Sequence, residues 1–507
     1  MPLRQRPDCG RLLATSSLIA LALASQAARA DQPFLIPHSL IISTSTYDRS
    51  QGPVASLEVG TPLAGSATAK SSAIADNNYV HVWDNSQPDG SFGVTSPIVL
   101  TAMEPHSGHV FGQLAVPPSQ VVTSFPSKSE LGLHVTYGAD GPHLVFVGYG
   151  HAGVGALDVS NSDAVAGQDP TNPVTFAFGS GYAYPRTIVN VDLRGSLSYT
   201  PTIAYGGNNG RSALLGSNGL YYMVGNANNG NASTFGPNGT FPDVTETTGL
   251  EVVNPIDAKA VNVAIPAANS AEVDPLLQLV FNGKKDKAGK DTNYRGIAEF
   301  GGALYFTKGS GSNGIQTVYT VPTLPAVADA GSTQISIVPG FPTDSAKTTG
   351  GNFTPFAVFF ANPTTMYVSD EGTGSSVDAA QHAGLQKWSL DTTGTWQLDY
   401  VLTNGLIGTV DTNLVGYDGQ YPDVATVGLR NLTGAVNDDG TVTLWATTST
   451  SSASGDNGAD PNKVVAITDA LAQTTMTDAV AQEKFATVAG PTYGVVYRGV
   501  AYVAEHK

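Results

Sequence analysis

Three arginines stand in closely similar settings: Arg295 in YRGIA, Arg430 in LRNLTG and Arg498 in YRGVA. A planar guanidinium donates two parallel hydrogen bonds to a carboxylate, sulfate or phosphate, so several in one funnel suit an anionic ligand. The same arginines could instead tie neighbouring units together through carbonyl and Asp oxygens. Lys70 and Arg211 fall at comparable points of the same recurring pattern and, with Lys308 from a following loop, join the candidate binding set. Asp370 and Glu371 follow the apolar run TTMYVSD. Paired carboxylates beside arginines could act as general base, nucleophile or calcium ligands, or simply form salt bridges. His151, in GYGHAG, presents an imidazole beside glycines. With Tyr149 and Tyr205 in reach, it could move protons in a β-elimination from a uronate while an arginine neutralises the carboxylate. The candidate catalytic set is therefore His151, Tyr149, Asp370 and Glu371.

Other constellations are weaker. DNSQPDGS, with Asp84 and Asp89, and SGDNGADPN, with Asp456 and Asp460, are oxygen-rich turns that could hold Ca2+. Neither has the spacing of an EF-hand loop, and plain Asx-turns explain both. Asp456 and Asp460 are retained as the candidate metal ligands. His106 and His109 form an HxxH without a third ligand, and His81 lies within the apolar run YVHVW. The chain has no GxSxG elbow, P-loop or HExxH, and GGNNGR precedes a strand pattern rather than a helix.

These residues need a scaffold that gathers distant segments. The chain of 507 residues holds 57 glycines and 31 prolines and only 13 % charged residues, a mixture that suits short strands joined by many turns. One pattern recurs: a short strand opening near a polar or basic residue, a Gly/Asn/Asp turn, a strongly apolar strand, a Gly- or Asp-rich loop and a third strand. Copies start at Lys70, Glu130, Gly210, Tyr294, Phe353 and Gly428, and a seventh at Tyr497 is cut short. Their spacing, roughly 60–80 residues, fits propeller blades lengthened by loop insertions. The run Ser39–Tyr47 can supply the strands missing from the last copy and close a ring without free edges. The expected fold is all-β, one seven-bladed β-propeller over residues 31–507; six or eight blades and a parallel β-helix are the alternatives. On that scheme Lys70, Lys128, Arg211, Arg295, Thr354, Arg430 and Arg498 open the inner strands. His151, Asn226, Lys308, Asp370, Glu371 and Thr448 lie in a second ring of loops on the same face.

Residues 1–30 read as a signal peptide: Arg4, Arg6 and Arg11, an apolar core from Leu12 to Ala24, and the Ala28-Arg29-Ala30 site. The apolar run is too short to span a bilayer. Export to the periplasm or medium follows, and the sole cysteine, Cys9, leaves with the signal. Thiolate nucleophiles, cysteine zinc sites and iron–sulfur clusters are thereby excluded. The formal charge of −17 becomes about −20 without the four arginines and one aspartate of residues 1–30. That charge repels nucleic acid and anionic membranes, so neither is an expected partner. A monomer is expected.

The phrases DGSFGVTSP (89–97), TKGSGSNG (307–314), GLQKW (384–388) and GADPNKVVAIT (458–468) resemble a family of secreted, propeller-like bacterial proteins. The resemblance extends over most of the mature chain. It implies export and fold, and it transfers no catalytic residue. Three functions fit the residues. The first is an enzyme, lyase or hydrolase, acting on an anionic carbohydrate or similar small anionic molecule in the funnel. The second is a non-catalytic binding or scaffold propeller of the cell envelope. The third is a calcium-dependent lactonase-like hydrolase, which requires Asp370, Glu371 and Asn226 to converge on one ion.

Overall fold

The computed structural model describes residues 33–47, 93–125, 131–156, 159, 184–202, 204–205, 209–226, 248–261, 270–273, 293–309, 314–344, 353–373, 383–410, 423–451 and 458–505. These residues form six antiparallel sheets arranged as the blades of a β-propeller. In blade I the order is Val495–Val503, Ser39–Thr46, Ile98–Met103 and Val110–Ala115. Blade II starts with His134–Gly138 and Gly141–Gly150 and continues with Arg186–Val191 and Leu197–Thr202. Blades III, IV, V and VI open with Gly210–Leu215, Ile297–Phe300, Pro355–Asn362 and Val424–Val436. Each of these six opening strands contacts the opening strand of the next blade, and that of VI contacts that of I, so the ring is closed.

Six blades rather than the expected seven are present among the described residues. The discrepancy falls on the copy that starts at Lys70, which lies outside them. Ser39–Thr46 is already the second strand of blade I, paired on one side with Val495–Val503 and on the other with Ile98–Met103. Residues 48–92 therefore intervene between adjacent strands of one blade, and the ring closes without them. The pairing of Ser39 with Val503 and of Thr46 with Val495 supplies the expected closure by strands from both ends of the sequence.

Local chemistry explains the strands. Alternate residues of the inner strands face the two neighbouring blades, and apolar side chains stand on both faces. The core consequently divides into six wedges, one between each adjacent pair of blades. Leu250 and Val252 of blade III pack on blade IV, for example, while Val253 packs on blade II. Tight hairpins hold the register: Phe300 pairs with Ala303 across Gly301-Gly302, both at positive φ (61° and 77°), as a two-residue turn of this kind requires.

A buried hydroxyl links successive blades. Ser43 Oγ accepts from Gly499 N–H of its own blade (2.7 Å) and donates to the Leu131 carbonyl of the next (2.9 Å). Thr307 Oγ1 accepts from Gly296 N–H (3.1 Å) and donates to the Phe356 carbonyl (2.7 Å). Ser369 Oγ accepts from Ala357 N–H (3.0 Å) and donates to the Arg430 carbonyl, and Thr447 Oγ1 donates to the Arg498 carbonyl (3.0 Å). All four sit on second strands and are fully buried.

Between blades V and VI, away from the opening strands, lies a buried polar cluster. Lys387 Nζ uses its three donors on Asp469 Oδ2 (2.9 Å), the Tyr400 hydroxyl (3.0 Å) and the Ala470 carbonyl (2.7 Å). The hydroxyls of Tyr400 (2.6 Å) and Tyr367 both donate to Asp469. An ammonium so occupied is a structural cation, not a nucleophile. Glu483, just beyond the short helix Asp478–Gln482, adds a second carboxyl to the cluster. Burial first, and then the Asp469 charge, push the Glu483 carboxyl up to about 8. The native state therefore holds this proton more tightly than the unfolded chain does. Its stabilising effect is complete below the ordinary carboxylate pKa and is lost as pH rises through about 8. Thermal midpoints measured from pH 5 to 9 are expected to fall with pH in the parent and to fall less in Glu483→Gln. Parallel profiles would remove Glu483 from the cluster's titration.

Candidate functional site

Four arginines stand on or beside the ring's opening strands: Arg211 opens Gly210–Leu215 in blade III, Arg295 precedes Ile297–Phe300 in IV, and Arg430 and Arg498 lie within Val424–Val436 of VI and Val495–Val503 of I. Blade V has Thr354 at this point and blade II has Leu131. Each arginine is at most 5 % exposed. The glycine that follows Arg295 and Arg498 has its own cause. A Cβ on Gly296 would lie 2.4 Å from the Phe356 carbonyl, and one on Gly499 would lie 2.1 Å from the Leu131 carbonyl. The repeated Arg-Gly pair thus combines a buried cation with close approach of the next blade. In blade VI the residue after Arg430 is Asn431, whose side-chain amide donates to the Arg498 carbonyl (2.9 Å).

The arginines have different partners. Arg211 Nη1 donates to the Tyr294 carbonyl of blade IV (3.1 Å), and Arg498 Nε donates to Ser45 Oγ (2.9 Å). Arg295 and Arg430 flank one carboxylate, Glu371 of the blade between them: Arg295 Nη2 is 3.9 Å from Oε1, and Arg430 Nε is 3.3 Å from Oε2. Glu371 is itself only 7 % exposed. Its backbone is pinned, the N–H to the Thr354 carbonyl (3.0 Å) and the carbonyl to Ser449 Oγ (2.6 Å).

Asp370 takes no part in that contact. It accepts from Thr354 N–H (3.0 Å), the Thr354 hydroxyl, Gly372 N–H (2.9 Å) and Gln386 Nε2 (3.2 Å). Complete burial pushes its carboxyl up to about 6, and these hydrogen bonds oppose the rise. The side chains of the adjacent acids thus go different ways: Asp370 anchors the start of its own blade, and Glu371 reaches toward the two arginines.

A cavity of about 490 Å³ lies between the opening strands; the four arginines do not line it themselves. All six opening strands line it, from Gly296 and Asn431, next to Arg295 and Arg430, to Tyr137 and Tyr502. His134 lines it too; its imidazole lies 2.7 Å from Ser212 Oγ, and burial pulls its pKa down to about 4, so it is neutral near pH 7.

His151 lies just past the strand Gly141–Gly150, at the same end of the ring, with φ 61° and its N–H on the Gln120 carbonyl (3.0 Å). Tyr149 is buried, and its hydroxyl donates to Asn209 Oδ1 (2.7 Å). The Arg186 guanidinium lies 5.2 Å from the Tyr149 ring centre, and the two residues are opposite one another in register. Arg186 is a buried cation that sequence reasoning missed; the proline before it, which marks a strand start, was the available signal. Tyr205 packs nearby, its ring and the Arg186 side chain both reaching Gly210. Its hydroxyl bonds the Met223 and Gly249 carbonyls inside the wedge between blades II and III.

Lys308 is fully buried at the end of its strand. Asp460 is buried, and Thr450 Oγ1 donates to it (3.2 Å). Asn226 lies in blade III, with its N–H on the Asn209 carbonyl (3.0 Å), whereas Asp370 and Glu371 belong to blade V. Lys70, Lys128, Asp84, Asp89 and Asp456 lie outside the described residues. Among the described residues no group of three or more His, Cys, Asp or Glu side chains is placed to hold a metal ion.

No protein-family model matches the chain, and no curated protein matches it by sequence. Solved structures give distant likenesses. A β-xylosidase/α-arabinofuranosidase of glycoside hydrolase family 43 from a compost metagenome, solved with xylotriose, is 10 % identical over 73 % of this chain and 96 % of its own, with a TM-score of 0.30. A family 43 arabinoxylan arabinofuranohydrolase from Bacillus subtilis, solved with cellotetraose, is 10 % identical over 93 % and 92 %, with a TM-score of 0.30. An ulvan lyase of polysaccharide lyase family 25 is 12 % identical over 87 % and 95 %, with a TM-score of 0.27.

Proposed function

We propose that this chain is an exported propeller enzyme that takes an anionic carbohydrate, or a similar small anionic molecule, at the arginine end of its axial cavity. The observation that supports the reading is that Arg211, Arg295, Arg430 and Arg498, from four blades, stand at comparable points of the opening strands, and that the neighbours of Arg295 and Arg430, Gly296 and Asn431, line one axial cavity. Such a set of arginines is a preorganised field for negative charge. The reaction it suits best is elimination from a uronate. An arginine neutralises the carboxylate, and His151 removes the proton on the carbon beside it. That electron pair forms the new carbon–carbon double bond as the glycosidic oxygen departs, protonated by Tyr149 or water.

One observation favours binding without turnover: the Tyr149 hydroxyl is held by Asn209 and its ring by Arg186. Absorbance of the unsaturated product separates the readings. Incubation with uronate-containing oligosaccharides is expected to release that product, and His151→Ala to lower kcat by about 10²–10⁴-fold, the usual contribution of a general base. Stabilisation by the same oligosaccharides with no product would leave a binding propeller. Absence of both product and stabilisation would refute the proposal.

A further inference from the structure

We infer that Glu371 is a resident stand-in for the ligand's own anionic group, which must displace it from between Arg295 and Arg430. The inference rests on the reading that this end of the channel takes anions. Three features point to it. The Glu371 carboxylate approaches the two arginines to 3.9 and 3.3 Å, longer than the ~2.7–2.9 Å of the charge-assisted bonds that a guanidinium makes with a well-seated carboxylate or sulfate. Its backbone is fixed at both N–H and carbonyl, so the side chain can turn about its own bonds without moving the blade. Finally, it comes from blade V, the position where Thr354 stands in the series of arginines, so the acid lies opposite the gap between two cations rather than beside its own.

A resident carboxylate has two effects. It holds two buried cations together while the site is empty, and it sets a threshold: a neutral sugar gains nothing by displacing it, whereas a carboxylate or sulfate does. Glu371 would then select the charge of the ligand and would not be a nucleophile or base.

The test is titration of the full mature protein with glucuronate and, separately, sulfate at constant ionic strength, read by thermal shift. Glu371→Gln removes the internal competitor and keeps the shape; the half-saturating concentration of the responsive anion is expected to fall on the order of tenfold. Glu371→Asp, whose shorter side chain cannot span both arginines, is expected to fall between parent and Gln, and it serves if the Gln variant does not fold. A parent that responds, with variants unchanged or weaker, would make Glu371 a brace or a ligand contact and overturn this inference while leaving the proposed function standing. No response from parent or variants would overturn both. A response in Glu371→Gln alone would support it most directly.

Discussion

A chain ending at Tyr497 is expected not to fold cooperatively. The truncation removes Arg498–Val503 from blade I, where Val500 and Val503 are buried against its neighbours. Those two side chains are worth roughly 3–6 kcal/mol by burial alone. The cut also deletes the partners of Ser43, Ser45, Thr447 and Asn431, at about 1 kcal/mol each. The total is comparable with the ~5–15 kcal/mol of a whole domain. Leu40, Ile41 and Ile42 would then face an open edge. Near-UV circular dichroism and the thermal transition are the readouts. A truncated chain with a sharp transition within a few degrees of the parent would mean that ring closure contributes little.

The second large effect belongs to the cluster between blades V and VI. Lys387→Met leaves Asp469, fully buried, without its cation. Breaking one side of a buried ion pair typically costs about 3–5 kcal/mol. In a protein of this size that corresponds to a drop of roughly 5–15 °C in Tm. Adding Asp469→Asn should recover part of the loss, because a neutral amide still accepts from Tyr367 and Tyr400. The four chains form a cycle whose coupling term measures the pair. A single variant melting within a degree of the parent would show that the two tyrosines suffice.

The fold was legible where a local pattern coincided with a structural role. The starts of three opening strands, at Arg211, Arg295 and Thr354, could be read because a polar residue, a turn and an apolar run recur there, whereas Arg430 and Arg498 lie inside longer strands. Blade number was not legible. A strand–turn–strand pattern at Lys70 looks like the others, but whether it forms a blade depends on Ser39–Thr46 finding Ile98–Met103 across some fifty residues. The carboxylates were read as a pair because they are adjacent in sequence; extended backbone sends neighbours to opposite sides. Lys387 was visible only as one charge in an otherwise uncharged strand, GLQKWSL, and its partner as one acid in VVAITDA. Their meeting is a property of the packed blades.

The hydroxyl links between blades have an evolutionary consequence. Each has a Ser or Thr on one side and a main-chain carbonyl on the other. Only the donor side requires a particular residue, because any amino acid supplies the carbonyl. As far as this link is concerned, a blade that carries its own hydroxyl asks for no particular residue in the blade it abuts, in contrast to the packed wedges and ion pairs. Such one-sided joints leave the carbonyl side free to diverge in sequence.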